Sequence, residues 1–340
     1  MVCNQTPAKP LFSGSVLSRK FVLFLMYIAE KFKLCRILFS RSLSFSFTLS
    51  ICFILLLRTG IHKYQNGLVV NGTAYELRGE ISVPMKPNYS CPYFTLIPPA
   101  TNPKSYQRKC NTCAIVSSSG RLLKSKSGDV IDAAECVFRI NNASTEVKYQ
   151  EDVGRKSSIR ILSSRGLDEY FERLSNEEIV KPEDILIWDA NIRLPRLDRV
   201  TLKAIKLADI YPSLKVYILQ NHVRGLPSFD TFIDREVGLS STLTGSSCSS
   251  GFYAMTVAAY ICDSIAVYGM SSPEDCFESN LKKRPQAPYH YQPPYDTIGE
   301  CDMYKSRWKR SIHGHRFMTE HMIFKRWSKH RQITFRVPSW

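Results

Sequence analysis

Short apolar runs alternate with longer helical segments from residue 110 to the C-terminus, and this alternation constrains the fold more than any other feature of the chain. The strand-like runs are residues 114–117, 136–140, 158–162, 185–188, 215–219, 265–268 and 333–337. The helical candidates are residues 167–175, 198–210, 252–262 and 317–329. Strands and helices in this arrangement predict an α/β fold with a mostly parallel sheet flanked by helices on both faces. Ligands of such sheets bind beyond the carboxyl ends of the strands.

Small polar residues form a loop in two of these units. Residues 113–120 read Cys-Ala-Ile-Val-Ser-Ser-Ser-Gly, and residues 246–251, just before the apolar helix at 252–262, read Ser-Ser-Cys-Ser-Ser-Gly. Such residues let backbone N–H groups and the positive end of a helix approach a phosphate or a carboxylate. A serine at a helix start is more often only a cap, so each loop taken alone is a weak indication of a nucleotide site.

Three further segments complete the pattern. Residues 137–142 read Val-Phe-Arg-Ile-Asn-Asn, residues 288–291 read Pro-Tyr-His-Tyr, and residues 315–320 read His-Arg-Phe-Met-Thr-Glu. In order and spacing, these segments and the two loops resemble the large, small, third and very small motifs of the animal sialyltransferases. The resemblance runs from about residue 110 to the C-terminus. It is to the α-N-acetylgalactosaminide α-2,6-sialyltransferases in particular, in the branch that acts on sialylated Gal-GalNAc. It implies a single Rossmann-like domain, the sialyltransferase variant of the glycosyltransferase A fold.

The resemblance also implies a reaction and the residues that perform it. Sialic acid would pass by direct, inverting attack from CMP-sialic acid to the 6-hydroxyl of GalNAc in a sialylated Gal-GalNAc glycan. His315 is implied to be the catalytic base, His290 to donate a hydrogen bond to the leaving phosphate, and Glu320 to have a structural role. The implied donor-binding residues are Ser118, Ser119 and Asn141 in the large motif and Ser249, Ser250 and Gly251 in the small motif. Without the resemblance, His315 would be read as a surface histidine.

The chain departs from the pattern of these relatives in two motifs. The small motif reads Cys248-Ser-Ser-Gly-Phe252 where the relatives have Leu-Ser-Thr-Gly-Trp. The relatives continue the third motif with an aromatic residue and a glutamate, whereas this chain has Gln292 and Pro293. Because both histidines and the Ser/Gly loop are retained, we expect the donor chemistry to be kept and the acceptor preference, for a glycoprotein or a ganglioside, to be the affected property. The alternative is a catalytically silent protein that keeps the fold and binds sialylated glycans.

The chain has 11 cysteines, more than a cytosolic enzyme of this size usually carries. In an oxidising lumen they predict disulfides, whereas in the cytosol Cys110 and Cys113 would suggest zinc. No second Cys-x-x-Cys or His-x-x-x-His pair completes a ligand set. The resemblance implies the disulfide Cys113–Cys262, and we expect a second between Cys276 and Cys301. Since the sequence has no Asp-x-Asp pair, we expect neither a metal nor a cofactor besides the donor substrate.

The N-terminal region predicts a membrane anchor. Residues 42–57 are uncharged and mostly apolar, and Lys31, Lys33, Arg36 and Arg41 precede them. Positive charge before the span keeps the N-terminus in the cytosol, which predicts a single-pass type II protein of the Golgi membrane. A cleaved signal peptide is the alternative. The expected organisation is a cytosolic tail (1–41), a signal anchor (42–57), a proline-rich irregular stem (58–105) and a luminal catalytic domain (106–340).

Glycosylation sequons and charge agree with a luminal protein. Asn71 and Asn88 are expected to carry N-glycans, whereas Asn142, beside the expected donor site, is expected to be unmodified. The net charge of +16 would suit nucleic acid, but no zinc finger, helix-turn-helix or aromatic RNA-binding strand is present. We therefore expect no nucleic-acid partner, and a basic surface that meets anionic sugar nucleotides, acidic glycans or membranes.

Overall fold

The computed structural model describes residues 83–97, 104–176, 184–189, 192–193, 196–219, 236, 248–272, 274–276, 286–309, 315 and 317–340. All of these lie in one compact unit, Leu68–Trp340. The expected tail, the expected anchor (42–57) and Asn71 lie outside the described residues. Among the helices that are described, none combines the length and the apolar character needed to cross a membrane.

The strands form a mostly parallel sheet, as the alternation of strands and helices predicts. They are β1 (Ser90–Leu96), β2 (Ser105–Gln107), β3 (Cys110–Val116), β4 (Cys136–Ile140), β5 (Ile159–Leu162), β6 (Asp184–Ile187), β7 (Ile192–Arg193), β8 (Arg196–Leu197), β9 (Lys215–Leu219), β10 (Cys262–Tyr268) and β11 (Gln332–Arg336). A 9-stranded sheet has the order β11-β10-β3-β4-β5-β6-β9-β1-β2, and β7 pairs with β8. The seven strands from β11 to β9 in this order are parallel to one another. β1 pairs antiparallel with both of its neighbours, β9 and β2.

Helices cover both faces of this sheet. They are α1 (Gly128–Asp132), α2 (Val147–Val153), α3 (Ser164–Asn176), α4 (Arg199–Ile210), α5 (Ser250–Ile261), α6 (Glu300–Lys309) and α7 (Phe317–Ser328). α5 is buried almost all round, as its apolar sequence predicts, and its Phe252 packs on Phe324 and Trp327 of α7. The other face of the sheet is covered through Val153 of α2, Leu167 of α3 and residues of α4.

The expectation of an irregular stem up to residue 105 is wrong for β1. This strand lies in the sheet between β9 and β2, and Phe94 pairs with Leu219. Pro92 lies inside β1, in the interval where the pairing with β2 is irregular. A proline has no N–H to donate, so it is tolerated at such an interruption. The high proline content of residues 58–105 therefore wrongly predicts irregular structure for the segment that forms β1.

Three disulfides connect the described residues: Cys110–Cys136, Cys113–Cys262 and Cys276–Cys301. The bond Cys113–Cys262, which the resemblance implies, joins β3 to the first residue of β10. Cys276–Cys301 is the second expected pair, and Cys110–Cys136 was not anticipated. Because Cys110 and Cys113 each form a disulfide, neither offers here the thiolate that a zinc site needs.

Candidate active site

The carboxyl ends of the parallel strands open into a cavity of about 240 Å³. Every residue with a predicted catalytic, donor-binding or supporting role lines it, namely Ser118, Ser119, Asn141, Ser249, Ser250, Gly251, His290, His315 and Glu320. The loop after β3, the end of β4 and the start of α5 bring the serines, Gly251 and Asn141 together. The two histidines come from segments more than a hundred residues later in the chain than Asn141, so only the tertiary fold unites these groups.

Ser118 and Ser119 are adjacent but differ in what their hydroxyls can do. The Ser119 hydroxyl is buried, donates to Glu300 Oε1 (2.9 Å) and accepts from the Arg121 N–H (3.2 Å). In the part of the chain that the structure describes, no residue hydrogen-bonds to the Ser118 hydroxyl, and only its carbonyl is engaged, by the Tyr291 N–H (2.8 Å). Ser118 therefore offers a hydroxyl to a ligand, whereas Ser119 holds the loop.

The Asn141 side chain is oriented by three donors. Its Oδ1 accepts from the Ser163 N–H (2.9 Å), the Ser163 hydroxyl (3.2 Å) and the Ser250 hydroxyl (3.3 Å). The backbone N–H can only donate, so the amide oxygen must face Ser163 and the amide nitrogen must face away from it. Asn141 also has a positive φ of 50°, a conformation that asparagine tolerates better than most residues. The two N–H donors of its amide are the groups available to a ligand.

A buried carboxylate fixes the start of α5. Glu320 accepts from the Ser249 N–H (2.8 Å) and also from the Ser249 hydroxyl, which in turn caps the helix by accepting from the Phe252 N–H (3.2 Å). Burial raises the pKa of Glu320 to about 7, against the lowering effect of the hydrogen bonds from Ser249. The N–H groups of Ser250 and Gly251, in the first turn of α5, have no partner within the helix and carry its positive end.

Gly251 leaves space in the cavity rather than relieving a clash. A Cβ added there would lie 3.4 Å from Ser249 Oγ and 3.5 Å from Met270 Cε, which are ordinary contact distances. Since no described residue lies close enough to exclude a methyl group, the missing side chain keeps the N-terminal turn of α5 open to whatever occupies the cavity.

Trp188, at the carboxyl end of β6, contacts both Ser250 and His315. Its Nε1–H donates to the Ser250 hydroxyl (2.8 Å), and its ring stacks on Tyr253 at 4.7 Å. The half-buried His315 ring meets Trp188 edge-on at 6.3 Å. The sequence predicts Trp188 at the end of a strand and indicates no role for it in the site. Its position at the carboxyl end of a parallel strand was the available signal.

His290 is held between two tyrosines. Its ring stacks on Tyr289 at 4.4 Å and meets Tyr295 edge-on at 5.1 Å, and the backbone N–H of His290 donates to the Tyr295 carbonyl (3.2 Å). Burial lowers the pKa of His290 to about 4. The imidazole is therefore neutral at mildly acidic pH, and it offers one N–H donor to the cavity rather than a positive charge.

Gln292 contacts the loop after β4. Its buried side chain accepts from the Ser144 N–H (2.5 Å) and donates to the Asn142 carbonyl (3.0 Å). The neighbouring Tyr291 hydroxyl donates to the Ser144 carbonyl (2.8 Å). The departure from the third motif at Gln292 therefore connects that motif to the loop that follows Asn141, while Pro293 lines the cavity.

Glu300 is a second supporting residue that the sequence did not reveal. It is 1% exposed and accepts from the Ser119 hydroxyl, from Arg121 Nε (2.5 Å) and from the Tyr304 hydroxyl (3.3 Å). Its partners Ser119 and Arg121 are about 180 residues away in the chain, at separations of 181 and 179. Because no local sequence pattern links residues so distant, the contacts of Glu300 with Ser119 and Arg121 become visible only in the folded structure.

The chain is similar in sequence to a known family and to named relatives. The family described as glycosyltransferase family 29 (sialyltransferase) matches residues 80–331. A human alpha-N-acetyl-neuraminyl-2,3-beta-galactosyl-1,3-N-acetyl-galactosaminide alpha-2,6-sialyltransferase is 37% identical over 235 residues, 68% of this chain and 75% of that protein. The mouse protein of the same name is 35% identical, and the match spans 68% of this chain and 63% of the mouse protein. The crystal structure of a mammalian sialyltransferase in complex with Gal-beta-1-3GalNAc-ortho-nitrophenol has a TM-score of 0.39 at 19% identity, over 66% of this chain and 69% of that one.

The fold and the cavity define an α/β protein that presents small polar loops, a helix N-terminus and two histidines to one ligand site. The family match places that site in a glycosyltransferase. More narrowly, the chain belongs to glycosyltransferase family 29, the sialyltransferases.

Proposed function

We propose that this chain transfers sialic acid from CMP-sialic acid to the 6-hydroxyl of GalNAc in sialylated Gal-GalNAc glycans of glycoproteins or gangliosides. The names of the similar human and mouse proteins support the linkage and the class of acceptor. The observation that carries the proposal is the shared cavity of Asn141, Ser250 and His315, with Trp188 in contact with both Ser250 and His315.

The polar groups of the cavity that have no partner among the described residues are those that suit the donor. The phosphate and the sugar carboxylate of CMP-sialic acid are anions, which the first N–H groups of α5 attract. The Ser118 hydroxyl and the Asn141 amide N–H groups add neutral hydrogen bonds to the nucleotide or the sugar. Ser119 and Ser249 act indirectly, because their hydroxyls are engaged by Glu300 and Glu320.

In the proposed reaction, the oxygen of the acceptor 6-hydroxyl attacks the anomeric carbon of the donor, and His315 takes the proton of that hydroxyl. The bond from that carbon to the phosphate oxygen breaks, CMP leaves with the electron pair, and the configuration inverts. His290, a neutral imidazole, donates a hydrogen bond to the phosphate as negative charge develops there. No covalent intermediate with the protein is required.

We further propose that transfer needs no metal ion. A monophosphate leaving group does not demand a bridging cation. Among the described residues that line the cavity, the carboxylates are Glu169 and Glu320, and the oxygens of Glu320 already accept from Ser249. Transfer that continues at its full rate in excess chelator is the expected result, and restoration of lost activity by Mn²⁺ would refute it.

The proposed location is the Golgi membrane, with residues 42–57 as a type II anchor and the catalytic part in the lumen. Asn88 is exposed just before β1, which suits a glycan, and Asn71 is proposed as a second site. At the Asn142 sequon Ser144 is buried and its hydroxyl donates to Glu146 (3.0 Å), which supports an unmodified Asn142. A glycopeptide map of active protein together with protease protection in intact microsomes tests both assignments.

The silent glycan-binding alternative was motivated by Gln292 and Pro293. The contacts of Gln292 with Ser144 and Asn142 argue against it, because they accommodate the change while His290 still lines the cavity. The deciding experiment incubates the detergent-solubilised full-length chain with labelled CMP-sialic acid and a panel of sialylated O-glycan and ganglioside acceptors. Mass spectrometry of the product should find sialic acid α-2,6-linked to GalNAc. Glycan binding without transfer to any acceptor would favour the silent protein.

A further inference from the structure

Arg165 stands apart among the described residues that line the cavity, because no other of them carries a permanent positive charge. It lies in the first turn of α3 and is exposed, whereas Ser119, Ser249 and Ser250 are at most 8% exposed. The charge is therefore at the solvent side of the cavity, away from the buried serines.

The Arg165 guanidinium is positioned by a hydrogen bond, and it interacts electrostatically with Glu169 without forming an ion pair with it. Its Nη1 donates to the Tyr295 hydroxyl (3.1 Å), and the Tyr295 ring contacts His290. Glu169, one helical turn later, also lines the cavity, yet within the described residues no carboxylate lies at ion-pair distance from Arg165. A guanidinium has five N–H donors in a planar fork, so most of them remain available to a ligand carboxylate.

Building on the proposed function, we infer that Arg165 binds the carboxylate of the sialic acid that the acceptor already carries. The donor anions have the N-terminus of α5 as their partner, whereas the acceptor carboxylate has no other permanent positive charge among the described cavity residues. A guanidinium and a carboxylate form paired, charge-assisted hydrogen bonds, which give orientation as well as affinity. Arg165 would thus select sialylated Gal-GalNAc over the same glycan without sialic acid.

The test compares two acceptors that differ only in that sialic acid. Initial rates are measured for sialylated Gal-GalNAc and for Gal-GalNAc on the same aglycone, with the full-length parent chain, Arg165→Met and Arg199→Met. Arg199 is the matched control, since it is an exposed arginine in the first turn of the next long helix, α4, and does not line the cavity. Arg165→Met should lower kcat/KM for the sialylated acceptor about 10-fold, the effect of losing roughly one charge-assisted interaction. The unsialylated acceptor and the KM for CMP-sialic acid should change little, and Arg199→Met should match the parent.

Several outcomes would overturn the inference. An equal loss of kcat/KM on both acceptors would show that Arg165 supports the fold. A rise in the KM for CMP-sialic acid of the same size as the loss would show that Arg165 binds the donor anions. Unchanged kinetics would show that Arg165 takes no part in recognition. Titration of each glycan into the same proteins measures binding without transfer, and it therefore tests the role of Arg165 independently of the proposed reaction. If the parent transfers nothing but prefers the sialylated glycan, and Arg165→Met abolishes that preference, the reaction fails while the role of Arg165 stands. A parent that binds both glycans equally contradicts the role of Arg165.

Discussion

At the scale of single residues, the cavity contains polar groups of two kinds. Ser119 and Ser249 have hydroxyls committed to the buried carboxylates Glu300 and Glu320. The Ser118 hydroxyl and the Asn141 amide N–H groups have no such commitment to described residues. Residues of the same type, next to one another in one motif, therefore have different tasks, and substitution should separate them.

The pair Ser118→Ala and Ser119→Ala makes that separation measurable. Ser118→Ala should raise the KM for CMP-sialic acid several-fold and leave the melting temperature unchanged. Ser119→Ala should lower the free energy of unfolding by about 1–3 kcal/mol, because it leaves a buried Glu300 oxygen with one donor fewer. Thermal melts and donor KM values of both variants check this, and a Ser119→Ala protein as stable as the parent would refute the assignment.

Glu320 should make stability depend on pH. Its folded pKa of about 7 lies above its ordinary value of 4.5, so the folded chain binds a proton that the unfolded chain releases. That contribution is fully present below about pH 4.5 and is lost as the pH rises through about 7, with an upper size of about 3 kcal/mol. His290 and His321, whose pKa values burial lowers to about 4, oppose this trend.

The measurement is therefore a difference between the parent chain and Glu320→Gln, in which the contributions of the histidines cancel. The free energy of unfolding of the parent, relative to that of the variant, should fall between pH 5 and pH 8. A difference that stays constant across this range, or that rises, would show that Glu320 is ionised throughout.

At the scale of elements, the third-motif segment around His290 holds two loops at once. The Tyr291 N–H binds the Ser118 carbonyl, and Gln292 binds the backbone of Asn142 and Ser144. This segment thus joins the loops that follow β3 and β4, which supply the large-motif residues of the proposed donor site.

The change Gln292→Met keeps the length of the side chain and removes both hydrogen bonds. A buried N–H and a carbonyl then lose their partners, so we expect stability to fall by about 1–3 kcal/mol. The KM for CMP-sialic acid should rise, because Asn141 directly precedes the released loop. Melting curves and donor kinetics test the two effects together. A less stable Gln292→Met variant with a parental KM would limit Gln292 to folding.

The sequence was informative wherever a pattern is local. α5 could be predicted because its residues are apolar all round, and β4 and β9 because short apolar runs end at polar turns. β1 was missed because prolines surround it, and only its pairing with β9 and β2 in the sheet reveals the strand. Trp188 and Glu300 were missed for a different reason, since their roles depend on partners many residues away. The loops proposed to bind the donor, and both histidines, were singled out through motif order, which local patterning alone could not provide; the structure brings them into one cavity.

At the scale of the whole molecule, the sheet extends into the region expected to be a stem. β1 covers one edge of β9, and β2 extends the sheet beyond β1. These two strands bring the buried Tyr93, Phe94 and Tyr106 into the fold. The Tyr106 hydroxyl also donates to Asp184 Oδ2 (2.9 Å) on β6. The catalytic part of the chain therefore needs residues from Ser90 onward.

Two N-terminal deletions should behave differently when secreted behind the same cleavable signal. A protein that starts at residue 83 keeps β1 and β2 and should be soluble, with the donor affinity of the full chain. A protein that starts at residue 106 loses β1, exposes the edge of β9 and should aggregate. Size-exclusion chromatography of the two products is sufficient, and a monodisperse, active protein from the shorter chain would show that β1 is dispensable.

The central claim is that His315 removes the proton of the acceptor hydroxyl within the cavity that binds the donor. The most direct test measures sialyl transfer by full-length His315→Ala beside the parent chain, together with the affinity of both proteins for CMP-sialic acid. We predict that transfer falls by about 10²–10⁴-fold while donor affinity stays near that of the parent. A His315→Ala protein that transfers sialic acid at the parental rate would contradict the account.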